Sequence, residues 1–328
     1  MPSRRTFLQT SAALFAGAAL SNFVSAQEKQ GHLIWGDMLN LGHNMWGDTD
    51  RAYTPCSKKL LCEDAMWEKI TNEIAAAGLN LVLIDLGEGI QYQSHPELAI
   101  EGSWSIEKLR KELARLRAMG LEPIPKLNFS ACHDVWLGEY SRMLSTPKYY
   151  EVCQDLIKEV CEIFDSPRFF HLGYDEETAD HQRTYDYVVI RQGELWWHDF
   201  LFFVSTVEKQ NVRPWIWSDF CWKHKEDFMK RMPKSVLQSN WYYGKEFDPS
   251  QSVYVQTYLD LAAAGFDQVP TGSNWSNDVN FGGTVEFCRK NIASDHLFGY
   301  LQTPWKATVE ANLQDHRDAI AQVKAVKY

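Results

Sequence analysis

The chain has 328 residues, 45% of them hydrophobic, and carries 33 basic against 43 acidic side chains, a formal net charge of −10. This length is enough for one large domain or two small ones. An acidic chain without basic clusters argues against nucleic acid and anionic membrane surfaces as partners, because both attract basic surfaces.

The first 26 residues have the pattern of a twin-arginine export signal. Arg4 and Arg5 precede a Phe-Leu pair and an apolar stretch over 12–20, and a small-residue cleavage site ends at Ala26. We therefore predict a signal peptide over 1–26 and a mature catalytic domain over 27–328. No later stretch is apolar for long enough to form a transmembrane helix. The pattern indicates a periplasmic or secreted bacterial protein without membrane insertion of the mature chain.

The seven cysteines show no metal-binding spacing. Neither Cys-x-x-Cys nor His-x-x-x-His occurs, so no zinc site, and no other metal or cofactor, is predicted. Cys56 and Cys62 lie close together in a polar segment, where we expect that they can form a disulfide in the periplasm. The other five cysteines lie in apolar surroundings that are typical of a protein core.

Strands and helices alternate along the mature chain. Apolar runs that end at glycine or at polar residues mark the boundaries. The predicted strands are 32–39, 79–86, 121–129, 169–175, 212–220, 235–243, 266–274 and 297–305. The predicted helices are 64–77, 106–119, 149–164, 194–209, 225–231, 253–264, 284–292 and 308–326. This alternation, without a break in composition, predicts the α/β class and a single (β/α)8 TIM barrel.

An open doubly wound sheet is the alternative fold. It would need a glycine-rich phosphate-binding turn after the first strand. The sequence there, Gly-Asp-Met-Leu-Asn from Gly36 to Asn40, is not such a turn. We therefore retain the barrel.

The fourth strand runs into a cluster of carboxyl groups. Side chains alternate along a strand, so His171, Gly173 and Asp175 share one face, and Glu176 falls where the strand gives way to a loop. Adjacent carboxyl groups need different environments, and we expect one to stay ionised and the other to hold its proton near neutrality. Such a pair can carry out acid-catalysed bond cleavage.

Aromatic and acidic side chains collect at the predicted C-terminal ends of the strands, where TIM barrels place their active sites. Aromatic faces stack on sugar rings and carboxylates accept hydrogen bonds from hydroxyls, whereas a phosphorylated substrate would need Lys or Arg. We therefore predict a carbohydrate as the ligand. The strand-end candidates are Asp37, Asn40, Asp85, Glu88, Asn128, His133, Asp175, Glu176, Trp217, Asp219, Trp241, Tyr242, Trp275, Asp278 and Trp305.

The stretch from His171 to Glu176, His-Leu-Gly-Tyr-Asp-Glu, resembles the His-x-Gly-x-Asp-Glu motif of the family 20 glycoside hydrolases, the β-N-acetylhexosaminidases. The resemblance continues less sharply along the barrel. The further matching positions are Asp85 at the second strand, His133 after the third, Trp217 and Asp219 at the fifth, Trp241 at the sixth and Trp305 at the eighth.

The resemblance implies a retaining hydrolase in which the substrate's own 2-acetamido group attacks the anomeric carbon. Asp175 would hold and polarise that group, and Glu176 would protonate the leaving oxygen and then activate water. The other implied roles are walls of the acetamido pocket from Trp241 and Trp305, support of the acid by His133, and a bridge from Asp85 to His133. We expect Asp37, Trp217, Asp219, Tyr242 and Trp275 to contact the sugar.

Four positions depart from the family pattern. Asn40 stands where the family has an Arg, Asn128 where it has an acid, Trp275 near an expected Tyr, and Ala307 in place of a Glu. The catalytic pair is kept, but the sugar, the linkage and the oligomeric state stay open. Two other functions also stay open: a metal-dependent sugar isomerase or epimerase, which would place Glu, Asp and His at strand ends, and a glycan-binding barrel without catalysis.

Overall fold

The computed structural model describes residues 33–47 and 55–327, in which parallel strands alternate with α-helices. The predicted signal peptide lies outside the described residues. The strands are β1 (Ile34–Asn40), β2 (Leu81–Asp85), β3 (Glu122–Lys126), β4 (Phe169–His171), β5 (Arg213–Trp217), β6 (Leu237–Ser239), β7 (Thr271–Gly272) and β8 (Gly299–Gln302). The helices are α1 (Asp64–Ala76), α2 (Ile106–Ala118), α3 (Pro147–Ile163), α4 (Gly193–Glu208), α5 (Phe220–Arg231), α6 (Val253–Ala263), α7 (Asn280–Asn291) and α8 (Leu313–Val326).

The strands form one eight-stranded parallel sheet in the order β6-β5-β4-β3-β2-β1-β8-β7. β1 pairs with both β2 and β8, as a barrel requires. Isolated parallel bridges between Gln238 and Gln268, and between Trp241 and Thr271, span the gap between β6 and β7. The barrel is therefore nearly closed, and the prediction of a single (β/α)8 TIM barrel is confirmed.

Alternation along the strands divides the core into two layers. Phe170, Leu172 and Tyr174 pack together in a large outer cluster between barrel and helices. The strand predicted over 169–175 is too long, because β4 ends at His171 and the backbone turns left-handed at Gly173. The inner cluster, which fills the barrel, contains Ile34, Met38, Leu81, Leu83, Ile124, Phe169, Trp215, Trp217, Leu237, Val269 and Leu301.

Most helices begin and end within a few residues of the predicted positions. Ser105 caps α2 by accepting a hydrogen bond from the Lys108 N–H at 3.2 Å, and the left-handed Gly120, at φ 81°, follows its end. The helix predicted over 225–231 is different, because α5 already begins at Phe220 and kinks at His224. The longer helix carries Trp222 at its first turn, next to the end of β5.

The cysteines are all free thiols. Cys62 is buried in the outer cluster, whereas Cys56 is exposed and its Sγ lies 3.0 Å from the carbonyl oxygen of Trp46. The possible Cys56–Cys62 disulfide is therefore not formed in this structure, where the two side chains lie in different surroundings. Among the described residues, no helix has the length and apolar character needed to cross a membrane.

Candidate active site

The chain leaves β4 through a left-handed turn. Gly173, Tyr174 and Glu176 have φ values of 67°, 76° and 54°. Only glycine fits at 173, since a Cβ there would lie 2.2 Å from the Asn128 side chain. The Oδ1 atom of Asn128 accepts a hydrogen bond from the Tyr174 N–H at 3.0 Å and so holds the turn. Positive φ at non-glycine residues costs free energy and is concentrated at functional sites.

This turn brings Asp175 and Glu176 to the same histidine. The Nε2 atom of His133 lies 3.2 Å from Oε2 of Glu176 and 3.5 Å from Oδ2 of Asp175. Asn128 donates a hydrogen bond to Oδ1 of Asp175 at 2.8 Å, which fixes that carboxylate. On the solvent side, Nε2 of His181 lies 3.5 Å from Oε1 of Glu176. Glu176 is thus placed between a buried and a half-exposed imidazole.

His133 carries the proton of this group. Burial would lower the pKa of His133, but the charges of Asp175 and Glu176 prevail and raise it to about 9. Burial also opposes ionisation of Glu176, but its contacts with His133 and His181 outweigh burial and hold the pKa of Glu176 well below its usual range. We expected the acid of the pair to hold its own proton. For Glu176 this is wrong, because the neighbouring imidazoles favour the carboxylate.

A carboxyl group with a raised pKa, that of Asp219, lies beside the pair just after β5. Its Oδ2 atom accepts a hydrogen bond from the Glu176 N–H at 2.8 Å. Burial, followed by the charge of Asp175, raises the pKa of Asp219 well above its usual range. Its Oδ1 atom is buried and has no hydrogen-bond partner among the described residues. Asp219 therefore holds the left-handed backbone of Glu176, and its surroundings disfavour the charged form of its carboxyl group.

A buried ion pair lies in the barrel close to these groups. Lys126, the last residue of β3, donates a hydrogen bond to Oδ2 of Asp85, and both side chains are nearly inaccessible to solvent. Burial raises the pKa of Asp85, and the charge of Lys126 opposes that rise. The resemblance implied a bridge from Asp85 to His133. In the structure, the short contact of Asp85 is with Lys126, which sequence reasoning missed.

Aromatic rings from three strand ends meet at the barrel mouth. The ring centroids of Trp217 and Trp305 are 5.9 Å apart, and Trp241 stacks on Tyr243 with centroids 5.0 Å apart. Trp305 Nε1 donates a hydrogen bond to the Tyr243 hydroxyl at 2.8 Å and links the two pairs. The predicted Trp217, Trp241 and Trp305 are therefore brought together. Tyr243 was missed, although its i+2 spacing from Trp241 places both on one face of the predicted strand.

Two predicted contacts lie elsewhere. Asp37 lies on the same face of β1 as Trp35 and Leu39, which pack in the outer cluster. Its side chain therefore faces the helices and not the barrel interior. β1 is buried along its whole length, and its sequence shows no alternation of polar and apolar residues from which the inner face could be recognised. Trp275 is 51% exposed on the rim, with its ring centroid 6.3 Å from that of Tyr243.

Two further polar side chains, the candidate Asn40 and the neighbouring Glu177, are occupied by structural contacts. Glu177 forms a buried ion pair with Arg191 and also accepts a hydrogen bond from the Ala131 N–H at 3.0 Å, which ties the loops after β3 and β4 together. Asn40, at the position where the family has an Arg, donates a hydrogen bond to the carbonyl of Lys306 at 2.9 Å. Neither side chain is directed by these contacts to Asp175 or Glu176.

A cavity of about 630 Å³ opens on one side of Glu176. Loops after β4, β5 and β6 form it, and Glu176 and Asp219 lie on its wall. Of the predicted sugar contacts, Trp241 and Tyr242 also line it, whereas Asp175, His133 and Trp305 do not. The further wall residues are polar, charged and aromatic, and the aromatic ones are Tyr174, Trp196, Phe220, Trp222, Tyr243 and Tyr254. Sequence reasoning missed this wall because most of its residues lie on the long loop after β4, at the early start of α5 and at the α6 N-terminus, and not at the strand ends.

His133, Asp175 and Glu176 are also the group that could hold a cation in the described part of the chain. One ligand atom of each lies within 4.8 Å of the others. A metal ion would have to replace the proton of His133, since only the neutral imidazole is a ligand. The Nε2 atom of His133, whose pKa is raised, already lies within ion-pair distance of both carboxylates, and we assign no metal to this group.

Comparison with family models and with curated proteins finds no match. Solved structures match in fold. The β-N-acetylhexosaminidase of Bacteroides fragilis has a TM-score of 0.62 and 12% identity over 89% of this chain and 65% of its own. The family 20 exo-β-N-acetylglucosaminidase of Vibrio harveyi, solved with N-acetylglucosamine, has a TM-score of 0.58 and 14% identity, and the match covers 88% of this chain and 54% of that one. The N-acetyl-β-hexosaminidase of Streptomyces plicatus has a TM-score of 0.62 and 11% identity, and the match covers 90% of this chain and 63% of that one.

Fold and site together define a TIM-barrel protein in which the carboxylates of an Asp-Glu pair contact a buried histidine at the C-terminal ends of the strands. Its barrel has the fold seen in β-N-acetylhexosaminidases. The chain spans about half the length of the Vibrio harveyi protein. At this level of identity, the similarity shows the fold alone.

Proposed function

We propose that the protein is an exported glycoside hydrolase that cleaves terminal 2-acetamido-sugar linkages by substrate-assisted, retaining catalysis. The observation that carries the proposal is the contact of Asp175 and Glu176 with His133, at 3.5 and 3.2 Å, at the carboxyl end of β4. The barrel fold shared with β-N-acetylhexosaminidases supports it. The signal pattern over 1–26 supports export, and mass spectrometry of the exported protein should find a start near Gln27.

Asp175 is the group that handles the acetamide. Its carboxylate, fixed by Asn128, accepts the acetamide N–H and so turns the acetamide carbonyl oxygen toward the anomeric carbon. The new bond forms between that oxygen and the anomeric carbon while the bond to the leaving oxygen breaks. Holding an internal nucleophile in this way contributes several kcal/mol, about 7 in favourable cases. The negative charge of Asp175 then stabilises the cationic oxazolinium intermediate.

Glu176 and His133 handle the proton. Together they hold one proton below the pKa of about 9 of His133. Glu176, which faces the cavity, passes this proton to the leaving oxygen and becomes a base. In the second step it takes a proton from the water that opens the oxazolinium ring, and the enzyme returns to its starting state.

The aromatic cluster of Trp217, Trp241 and Trp305 supplies an apolar surface for the acetamide methyl group. Such a surface excludes water from the reacting atoms and strengthens the electrostatic contacts there. Asn40 and Ala307 stand where the family pattern has an Arg and a Glu. The hydrogen bonds to the sugar hydroxyls must therefore differ from those of the family. The proposal therefore specifies the 2-acetamido group and not the identity of the sugar.

The test is a screen of aryl 2-acetamido-2-deoxy-β-glycosides, with the matching 2-hydroxy glycosides as controls. The proposal expects turnover of the former and little turnover of the latter. Turnover of both kinds of glycoside at equal rates would exclude substrate-assisted catalysis. Binding of the sugars without turnover would instead support the glycan-binding alternative, which the changes at Asn40 and Ala307 favour.

A further inference from the structure

The carboxyl group of Glu176 has a different neighbour at each of its two oxygens. Oε2 lies 3.2 Å from Nε2 of His133, and Oε1 lies 3.5 Å from Nε2 of His181. The side chain of His181 is 43% exposed and lines the cavity, whereas His133 is buried and does not line it. Oε1 is therefore the oxygen on the cavity side of Glu176.

His181 is held against Glu176 by a short turn of the loop after β4. The Thr178 N–H donates a hydrogen bond to the carbonyl oxygen of Glu176 at 2.8 Å, and the Thr178 hydroxyl oxygen accepts one from the His181 N–H at 3.3 Å. The same hydroxyl lies 2.7 Å from Nδ1 of the His181 ring. Thr178 thus fixes both the backbone and the ring of His181 relative to the residue that the ring contacts.

The residue after His181 joins this turn to the loop that carries His133. Gln182 is buried, and its Nε2 donates a hydrogen bond to the carbonyl oxygen of Ala131 at 2.5 Å. Its Oε1 accepts a hydrogen bond from the Val189 N–H at 2.8 Å. The two imidazoles on either side of Glu176 are therefore carried by loops that are tied to each other, and a ring on such a support is already in place when a ligand binds.

The contacts of the His181 ring define which nitrogen carries a proton. An ionised carboxylate can only accept hydrogen bonds, so Nε2 of His181 must carry the proton that it presents to Oε1 of Glu176. In the neutral ring the Thr178 hydroxyl then donates to Nδ1, and in the charged ring Nδ1 donates to the hydroxyl oxygen. His181 therefore presents a donor to Glu176 in both charge states.

A donor at Oε1 has its largest effect when the catalytic pair gives up its proton. His133 and Glu176 are together neutral while they share one proton, and they become negative when that proton is transferred. Hydrogen bonds to a charged group stabilise it more than hydrogen bonds to a neutral group do. His181, after His133, already contributes to the lowered pKa of Glu176. The contact therefore favours the state that forms as the proton leaves.

We propose that His181 is a positioning residue for the catalytic acid, which keeps Oε1 of Glu176 on the cavity side and stabilises the carboxylate that remains after proton transfer. The proton moves from Glu176 to the leaving oxygen while the bond between that oxygen and the anomeric carbon breaks. His181 keeps its own proton throughout. This inference rests on the proposed function, because it assumes that Glu176 is the acid.

The first test compares two small leaving groups that differ in their need for a proton. Methanol leaves readily only when its oxygen is protonated, whereas azide leaves as a stable anion. The substrates are the methyl glycoside and the glycosyl azide of the 2-acetamido sugar that the wild type hydrolyses, and kcat/KM reports the first step alone. His181→Ala should lower kcat/KM for the methyl glycoside about 10- to 100-fold and leave the value for the azide nearly unchanged.

Two further variants complete this comparison. Thr178→Val, which removes the hydroxyl at Nδ1 of His181, should lower kcat/KM for the methyl glycoside by a smaller factor, about threefold. His198→Ala, an exposed histidine on α4 outside the cavity wall, should change neither substrate. Equal losses of His181→Ala on both substrates, which a merely structural role would produce, or no loss on the methyl glycoside, would overturn the proposal.

A second test uses the accessible position of His181. Because its side chain is 43% exposed at the cavity wall, imidazole added to His181→Ala can enter the space of the missing ring. Imidazole should restore part of kcat/KM for the methyl glycoside in His181→Ala and none in Glu176→Gln, which keeps His181 but lacks the acid. No restoration in His181→Ala would contradict the proposal.

A third test needs no turnover and separates this inference from the proposed function. Carbon-13 NMR of the side-chain carboxyl groups, with the Glu176 signal assigned by its absence in Glu176→Gln, should show a higher pKa of Glu176 in His181→Ala than in the wild type. The other titratable groups around Glu176, which both proteins keep, are His133, Asp175, Asp219 and Tyr243.

The two possible failures have different signatures. If the wild type hydrolyses neither glycoside but the pKa of Glu176 rises in His181→Ala, the contact stands and the proposed function fails. If the wild type hydrolyses both glycosides but Glu176 titrates alike in His181→Ala and wild type, the role of His181 fails and the proposed function stands.

Discussion

His133 and Glu176 share one proton across 3.2 Å between Nε2 and Oε2. The proton rests on the imidazole, whose pKa is raised to about 9. Since the two groups interact strongly, the titration that matters is that of the pair and not that of Glu176 alone. The pair remains singly protonated through neutrality although the pKa of Glu176 itself is lowered.

The pH dependence of catalysis should therefore have its basic limb near pH 9. The pair holds its proton below the pKa of about 9 of His133 and loses it as the pH rises through that value, so kcat/KM should fall there. In His133→Gln the proton would depend on Glu176 alone, and the limb should move into the acidic range. The exposed His198→Gln serves as the control. A basic limb at the same pH in His133→Gln and wild type would contradict the shared proton.

Glu176→Gln should fold normally and lose activity selectively. Without a protonatable carboxylate, glycans with alkoxide leaving groups lose most of their turnover, about 10²- to 10⁴-fold, whereas activated aryl glycosides need little protonation and lose less. Steady-state kinetics on both kinds of substrate provide the measurement. Wild-type rates of the variant on unactivated glycans would show that Glu176 is not the acid.

Asp219→Asn should stabilise the protein at neutral pH while it lowers activity. The folded pKa of Asp219 is raised, so folding is disfavoured as the pH rises above the usual carboxyl pKa of the unfolded chain. An amide carries no such cost, and its oxygen can still accept the hydrogen bond from the Glu176 N–H. Thermal unfolding should show a higher Tm for the variant at pH 7 and a much smaller difference at pH 3. A lower Tm at pH 7 would show that Asp219 is ionised in the fold.

Lys126→Met should destabilise the barrel by about 3–5 kcal/mol, because it leaves the carboxyl of Asp85 buried without its partner. Adding Asp85→Asn to Lys126→Met removes that buried charge and should recover part of the loss. Urea unfolding of the two single variants and the double variant gives the coupling free energy. Additive losses, with no recovery in the double variant, would mean that the two side chains do not interact strongly.

The sequence predicted the barrel, and the Asp-Glu pair at the end of its fourth strand, for physical reasons that are visible in the chain. The left-handed turn that carries the pair was not predicted. Alternating apolar segments define the strands, and the glycine of His-x-Gly-x-Asp-Glu is required because Asn128 occupies the space of a Cβ at Gly173. The misplaced Asp37 comes from a strand that is buried on both faces, where the pattern does not distinguish inside from outside.

Other parts of the site depend on contacts between distant segments. His181, on the loop after β4, contacts Glu176. Lys126 on β3 donates a hydrogen bond to the carboxylate of Asp85 on the neighbouring strand β2. Both contacts change the charge balance of the site, and neither has a signature in the local sequence. Trp222 was overlooked because the aromatic segment after β5 has modest helix propensity, although packing makes it the first turn of α5.

The most direct test of the central claim is the affinity for a thiazoline mimic of the cyclised intermediate, measured by calorimetry in wild type and in Asp175→Asn. If Asp175 stabilises an intermediate formed by the substrate's own acetamide, the wild type binds the thiazoline far more tightly than the product sugar. Asp175→Asn keeps the shape, removes the charge, and should erase most of that preference together with about 10²- to 10³-fold in kcat. A wild type that binds the thiazoline no better than the product, and hydrolyses 2-hydroxy glycosides as fast as 2-acetamido ones, would contradict the account.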